Sequence, residues 1–184
     1  MVLTKSITML KAGEKAPNFS LKGVDGRTHS LSGFKNTKAL LIIFMCNHCP
    51  YVKAKIETIK NLQAKYKGKG LIVVGINSND AADYPEDSFD GMVKTAKEKN
   101  FNFIYLIDET QHIAKSYSAS CTPDPFLFDS EQRLVYHGRF DNSLEPGQTA
   151  TEFNMDDAIA AVLSGKKPKR DFLYSIGCSI KWKK

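Results

Sequence analysis

The chain has 184 residues, 42% hydrophobic and 25% charged, which suits one domain (residues 1–184) with a full core and excludes bulk disorder. Its net charge of +6 comes without any nucleic-acid-binding motif, so the basic residues read as a solvated surface, with no specific nucleic acid as partner. No apolar run approaches the roughly 20 residues of a membrane helix, and the first residues lack the apolar centre of a secretion signal, so the expected setting is cytoplasmic and off the membrane.

In chain order, residues 16–30 read as two short strands around a turn at Val24, Asp25 and Gly26, since Asp-Gly between alternating residues marks a hairpin. Residues 39–44, ALLIIF, are apolar throughout and suit a strand buried on both faces. Val52, Ile56, Ile59, Leu62 and Tyr66 then follow at spacings of four, three, three and four, one face of an amphipathic helix that ends at Gly68 and Gly70. Residues 71–76 are the next interior strand. A polar loop, 77–87, leads to a helix over 88–99 with Ser88 as its N-cap.

Residues 103–107 predict a third interior strand and 110–118 a short helix. An antiparallel pair is expected from 125–129 and 134–139, then a last helix over 155–163 ended by Gly165. Residues 166–184 form a basic tail. Strands alternating with helices and a closing hairpin argue one α/β domain.

Four cysteines are too few for a disulfide scaffold in a chain this long. Two of them stand in FMCNHCPYVK, residues 44–53, as Cys46-Asn47-His48-Cys49. Two buried core cysteines would leave Asn47 and His48 in an apolar setting at a cost. As a metal site, Cys46, His48 and Cys49 offer three donors with Cys121 as a fourth. Zinc sites usually combine two close pairs, however, and Cys121 and Cys178 stand alone, so neither metal nor other cofactor is expected.

The redox reading uses the context of strand, cysteine pair and helix. It places Cys46 at the helix N-terminus, where unpaired N–H groups and the dipole lower a thiol pKa from about 8.5 toward 3.5–7.5. Cys49 is then the covered partner that resolves a mixed disulfide. His48 adds an imidazolium beside the Cys46 thiolate, and Asn47 reads as a short polar filler. His29, His112 and His137 read as surface or satisfied residues, and Arg139 with Asp141 as a surface pair.

These residues resemble the redoxin branch of the thioredoxin-like superfamily, among relatives of peroxiredoxins and membrane-anchored thiol oxidoreductases. The likeness runs over about residues 10–163. It is carried by KAGEKAPNF (11–19) with LSGF (31–34), by the Cys46–Cys49 pair, and by SCTPDPFLFD (120–129); the ending GCSIKWK (177–183) resembles tails of the same branch. The resemblance implies a thioredoxin-like fold, a central mixed β-sheet flanked by helices with an N-terminal β-hairpin extension. It makes Pro123 a cis-proline and Thr122 the residue that presents backbone to a bound peptide.

It implies a thiol–disulfide oxidoreductase acting on protein thiols and disulfides, supplied by a thiol electron donor. Two departures stand out: Ile43 occupies the position where peroxiredoxins carry threonine, and Val52 the position where membrane-anchored relatives often carry glutamate. A thiol peroxidase is the alternative, or a metal-binding or interaction module on the same fold. Cys121 and Cys178 are auxiliary redox thiols or packed residues. Substrate, direction of exchange and oligomeric state are not legible.

Overall fold

The computed structural model describes residues 3–184. It begins with a strand absent from the sequence expectations, β1 (Leu3–Lys5). The predicted hairpin follows as β2 (Ser20–Gly23) and β3 (Thr28–Ser30), paired antiparallel. Gly26, in its turn, has φ +78°, a conformation that glycine adopts at no steric cost.

β4 (Ala39–Phe44) is fully buried at all six positions. Its side chains alternate between two cores, as the two-residue period of a strand requires. Leu41 and Ile43 join Ile59, Leu62, Met92 and Ile159 on one face. Leu40, Ile42 and Phe44 join Val74, Leu106, Ile113, Tyr117 and Phe126 on the other. Coverage on both faces is why this strand carries an unbroken apolar run.

The predicted helix behind the cysteine pair is two pieces, α1 (Pro50–Lys53) and α2 (Ile56–Tyr66). At the junction Lys55 N–H bonds back three residues to the Val52 carbonyl, a tightened turn. Next come β5 (Leu71–Asn77), α3 (Phe89–Glu98), β6 (Ile104–Ile107) and α4 (His112–Ser116). Ser88 caps α3 as expected, its Oγ accepting Gly91 N–H at 3.2 Å. The chain closes with β7 (Cys121–Thr122), β8 (Asp124–Asp129), β9 (Leu134–Gly138), α5 (Asn154–Leu163), β10 (Phe172–Leu173) and β11 (Ile176–Ser179).

Eight strands form one mixed sheet in the order β10-β9-β8-β4-β5-β6-β2-β3. β4, β5 and β6 run parallel, while β8 lies antiparallel beside β4. Met92 of α3 and the apolar faces of α2 and α5 cover one side, and α4 with Phe19, Leu31 and Phe34 the other. A second sheet, β1-β11-β7, lies across the residue before Pro123, pairing Cys178 with Thr122 and Ser179 with Cys121. The basic tail is therefore partly strand: residues 172–173 and 176–179 are built into the two sheets.

Candidate active site

Cys46 leaves the end of β4 and Cys49 enters α1, so a strand–helix junction sets the spacing of the two sulfurs. Pro50 decides where that helix begins. A residue before proline is pushed out of the α region, and Cys49 is extended at φ −66°, ψ 122°. Proline in turn is well suited to the first helical position. Cys49, and not Cys46 as the spacing suggested, is therefore the N-cap of α1. The Cys-Pro dipeptide carried that signal.

Both sulfurs are buried, Cys46 at 1% exposure and Cys49 at 0%, and both converge on Thr122. Cys46 Sγ lies 3.4 Å from Thr122 Oγ1, and Cys49 Sγ 3.2 Å from the Thr122 carbonyl oxygen. The Thr122–Pro123 peptide bond is cis. A third sulfur joins them, since Cys178 Sγ stands 2.9 Å from Cys49 Sγ. Cys121 is buried nearby, with Sγ 3.7 Å from the Pro123 carbonyl, and burial pushes its thiol pKa well up.

The loop between the cysteines hangs on Asp87, a residue within the polar loop of the sequence reading. Asp87 Oδ1 accepts the Asn47 N–H at 2.6 Å and the His48 N–H at 3.3 Å. Its Oδ2 pairs with His48 Nδ1 at 2.5 Å and accepts from Asn79 Nδ2 at 2.9 Å. Burial alone would raise the Asp87 pKa; the bonds from His48, Asn79 and Asn47 outweigh it and hold the carboxyl below its usual value.

Asn47 is no filler. Its Nδ2 donates to the Glu86 carbonyl at 2.5 Å and its Oδ1 accepts from Tyr105 Oη at 3.0 Å, which explains how a buried amide is tolerated. The His48 ring stacks on Tyr84 at 3.9 Å, and its Nε2 is buried without a partner among the described residues.

These contacts reverse the expected electrostatics. The hydrogen bond to Cys49, burial and the nearby Asp87 charge push the Cys46 thiol up. The same bond from Cys46 holds Cys49 down to about 5 against burial, helped by the Cys178 thiol and by the backbone N–H groups of Val52 and Cys178. Of the two thiols, Cys49 is the one held toward the thiolate and Cys46 the one held toward the neutral form. His48 Nδ1 faces Asp87 at 2.5 Å, and a His48 nitrogen lies within 4.8 Å of the Cys46 sulfur.

The edge of Thr122, expected to receive a substrate strand, is taken by β11 of the chain itself. Pro123 lines a small cavity with Tyr51, Lys55 and Phe140. Cys46 lies on a separate open groove of about 540 Å³, with buried Val52 and Ile56 and half-buried Phe101, beside exposed Lys53 and Glu86.

The donor set suggested for a metal is also different. Cys46, His48 and Asp87 bring a sulfur, a nitrogen and a carboxylate oxygen within 4.8 Å of one another, whereas Cys121 is not in that group. Elsewhere, His137 is buried and bonded to Asp124 at 2.7 Å. Asp141 is not paired with Arg139: it binds Lys55 Nζ at 2.6 Å, while Arg139 meets Glu152.

A mixed sheet between helices, with two cysteines at a strand–helix junction facing a cis-proline, defines a thioredoxin-like protein. The family model described as Redoxin matches residues 11–159, and the chain belongs to that family. Peroxiredoxin Q of Triticum aestivum is 31% identical over 105 residues, 57% of this chain but only 45% of that protein. The thiol-disulfide oxidoreductase ResA of Halalkalibacterium halodurans is 23% identical over 128 residues, 70% of this chain and 68% of the relative.

Among solved structures, an uncharacterized conserved protein from Geobacillus kaustophilus superposes with a TM-score of 0.94 at 43% identity, over 100% of this chain and 97% of the other. No helix of the described residues is long and apolar enough to cross a membrane.

Proposed function

We propose that this chain is a thiol–disulfide oxidoreductase that exchanges disulfides with protein substrates through Cys46 and Cys49, with a thiol as electron donor in a cytoplasmic setting. The observation that carries the reading is the convergence of both sulfurs on Thr122, hydrogen-bonded to each other, with only Cys46 facing the groove. No bound cofactor is needed, because two sulfurs hold the two electrons.

Cys46 passes its proton to the Cys49 thiolate across their hydrogen bond and attacks one sulfur of the substrate disulfide. The first substrate thiolate leaves and takes that proton from Cys49. The Cys49 thiolate then attacks Cys46 Sγ, the protein disulfide forms, and the second substrate thiolate departs. His48 and Asp87 position the loop that carries Cys46. Because β11 covers the Thr122 edge, substrates enter along the groove of Val52, Ile56 and Phe101 instead.

The test is turnover of a synthetic peptide disulfide with dithiothreitol as donor, run on the wild-type chain, Cys46→Ser and Cys49→Ser. Catalysed reduction lost in both variants is expected. Rates equal in all three chains would overturn the reading.

One contact favours peroxide reduction as a second reading. Ile43 stands where the resemblance expects a threonine, yet Thr122 brings a hydroxyl to 3.4 Å from Cys46 Sγ by another route. Hydrogen peroxide consumption that needs Cys46 and exceeds disulfide turnover would put it first. Stoichiometric zinc in the purified protein, lost in Asp87→Asn, would instead favour metal binding at Cys46, His48 and Asp87.

A further inference from the structure

Cys49 has a sulfur neighbour on each side. Cys46 donates to it from the loop, and Cys178 approaches to 2.9 Å from β11. We infer that Cys178 is a second disulfide partner of Cys49, so that the site is a three-thiol relay; this rests on the exchange proposed for Cys46 and Cys49.

Several independent features hold Cys178 in place. It pairs with Thr122 on one side of β11 and with Leu3 on the other, so its backbone is fixed in the middle of a three-stranded sheet. Gly177 lets β11 approach this closely, because a Cβ there would lie 2.0 Å from the Thr122 carbonyl oxygen. Cys178 is 2% exposed, so a thiol from solution does not reach Cys49 by that side. A disulfide has an S–S length of about 2.05 Å, so the two sulfurs, 2.9 Å apart, have less than about 1 Å left to close.

The step conserves electrons. Once the Cys46–Cys49 disulfide exists, the Cys178 thiol releases its proton and its thiolate attacks Cys49 Sγ. The Cys49–Cys178 bond forms, the Cys46–Cys49 bond breaks, and Cys46 leaves as a thiolate that takes up a proton. The disulfide moves inward and Cys46 returns to the groove as a thiol. The tail strand, on this inference, stores the oxidised state away from the substrate side.

The test maps disulfides in full-length wild type, Cys46→Ser and Cys178→Ser after equilibration with glutathione and glutathione disulfide, acid quenching and alkylation. Trypsin, cutting after Lys38, Lys53, Arg170 and Lys181, leaves Cys46 and Cys49 on one peptide and Cys178 on another. A Cys46–Cys49 bond is then a loop, and a bond to Cys178 a cross-link. In Cys46→Ser, Cys49 attacks glutathione disulfide and releases one glutathione thiolate; Cys178 then attacks Cys49 Sγ and releases the second.

The expected result is a Cys49–Cys178 cross-link in Cys46→Ser and the Cys46–Cys49 loop in Cys178→Ser. Cys46→Ser carrying only a Cys49–glutathione adduct, while Cys178→Ser closes its loop, overturns the relay and leaves the proposed exchange intact. A cross-link in Cys46→Ser with no loop in Cys178→Ser overturns the proposed exchange and the relay with it, and leaves Cys49–Cys178 as a pair on its own. Wild type needs no altered residue to fold: both isomers are expected across a series of potentials, and the loop alone at every potential would again overturn the relay.

Discussion

Gly177 lies against Thr122 so closely that a methyl group on it would sit 2.0 Å from the Thr122 carbonyl oxygen. The atom it would strike is backbone in a paired strand, so the strand must give way. Gly177→Ala is expected to lower stability by about 2 kcal/mol, in the range of overpacked cores. It should also deplete the Cys49–Cys178 cross-link while the Cys46–Cys49 loop persists. Urea unfolding and disulfide mapping report the two effects, and an unchanged midpoint would mean that β11 tolerates a side chain there.

Asp87 ties the active-site loop to the turn before α3, accepting from Asn47, His48 and Asn79. Asp87→Asn removes the charge with little change of volume and leaves His48 facing an amide. A loss of about 2 kcal/mol is expected, in the range for hydrogen bonds to a buried carboxylate. The Cys46 pKa should fall at the same time, because one of the groups that raises it is gone. Stability and thiolate absorbance measured on the same variant separate the two roles.

Acid should weaken the same contact in the wild type. The Asp87 pKa is depressed in the folded chain, so the unfolded state binds more protons as pH falls. Its contribution is complete above the unfolded carboxylate value of about 3.9 and is lost as pH drops through the lower folded value. Denaturant midpoints taken from pH 6 downward should decline less in Asp87→Asn than in wild type. Parallel curves would show that Asp87 does not titrate differently on folding.

Thiolate absorbance gives a direct reading of the pair. Cys49 is lowered to about 5 and Cys46 raised, so the reduced protein should gain one thiolate as pH rises through about 5. At neutral pH that thiolate is present, and Cys49→Ser should remove it. Survival of the low step in Cys49→Ser, with loss in Cys46→Ser, would move the charge to the other sulfur.

Lys55, at the tightened turn between α1 and α2, binds Asp141 and Ser143, each at 2.6 Å. Lys55→Met should cost about 2 kcal/mol, between the values for exposed and fully buried pairs. Thermal unfolding would show it, and a midpoint within error of wild type would reduce the pair to a surface contact.

Much of this was legible from residue order. Ala39–Phe44 declares a strand buried on both faces, because only such a strand can be apolar at every position. Asp25-Gly26 declares a turn, Ser88 a helix start, and the two cysteines a place between strand and helix, since each signal is local and acts within a few residues. Pro50 also marked the start of α1, and with it the cysteine that caps the helix.

Tertiary structure alone decided which thiol is held down, which is pushed up and what surrounds them. Asp87 meets Asn47 and His48 across 40 and 39 residues, and no periodicity announces such a partner. Cys178 reaches Cys49 across 129 residues through a four-residue strand too short to carry a pattern. The tail is half-polar and short, so by itself it reads as a basic appendage; paired with β7, it fills the Thr122 edge. The pKa of a thiol depends on donors and charges within a few ångströms, and here those come from segments that only the folded sheet brings together.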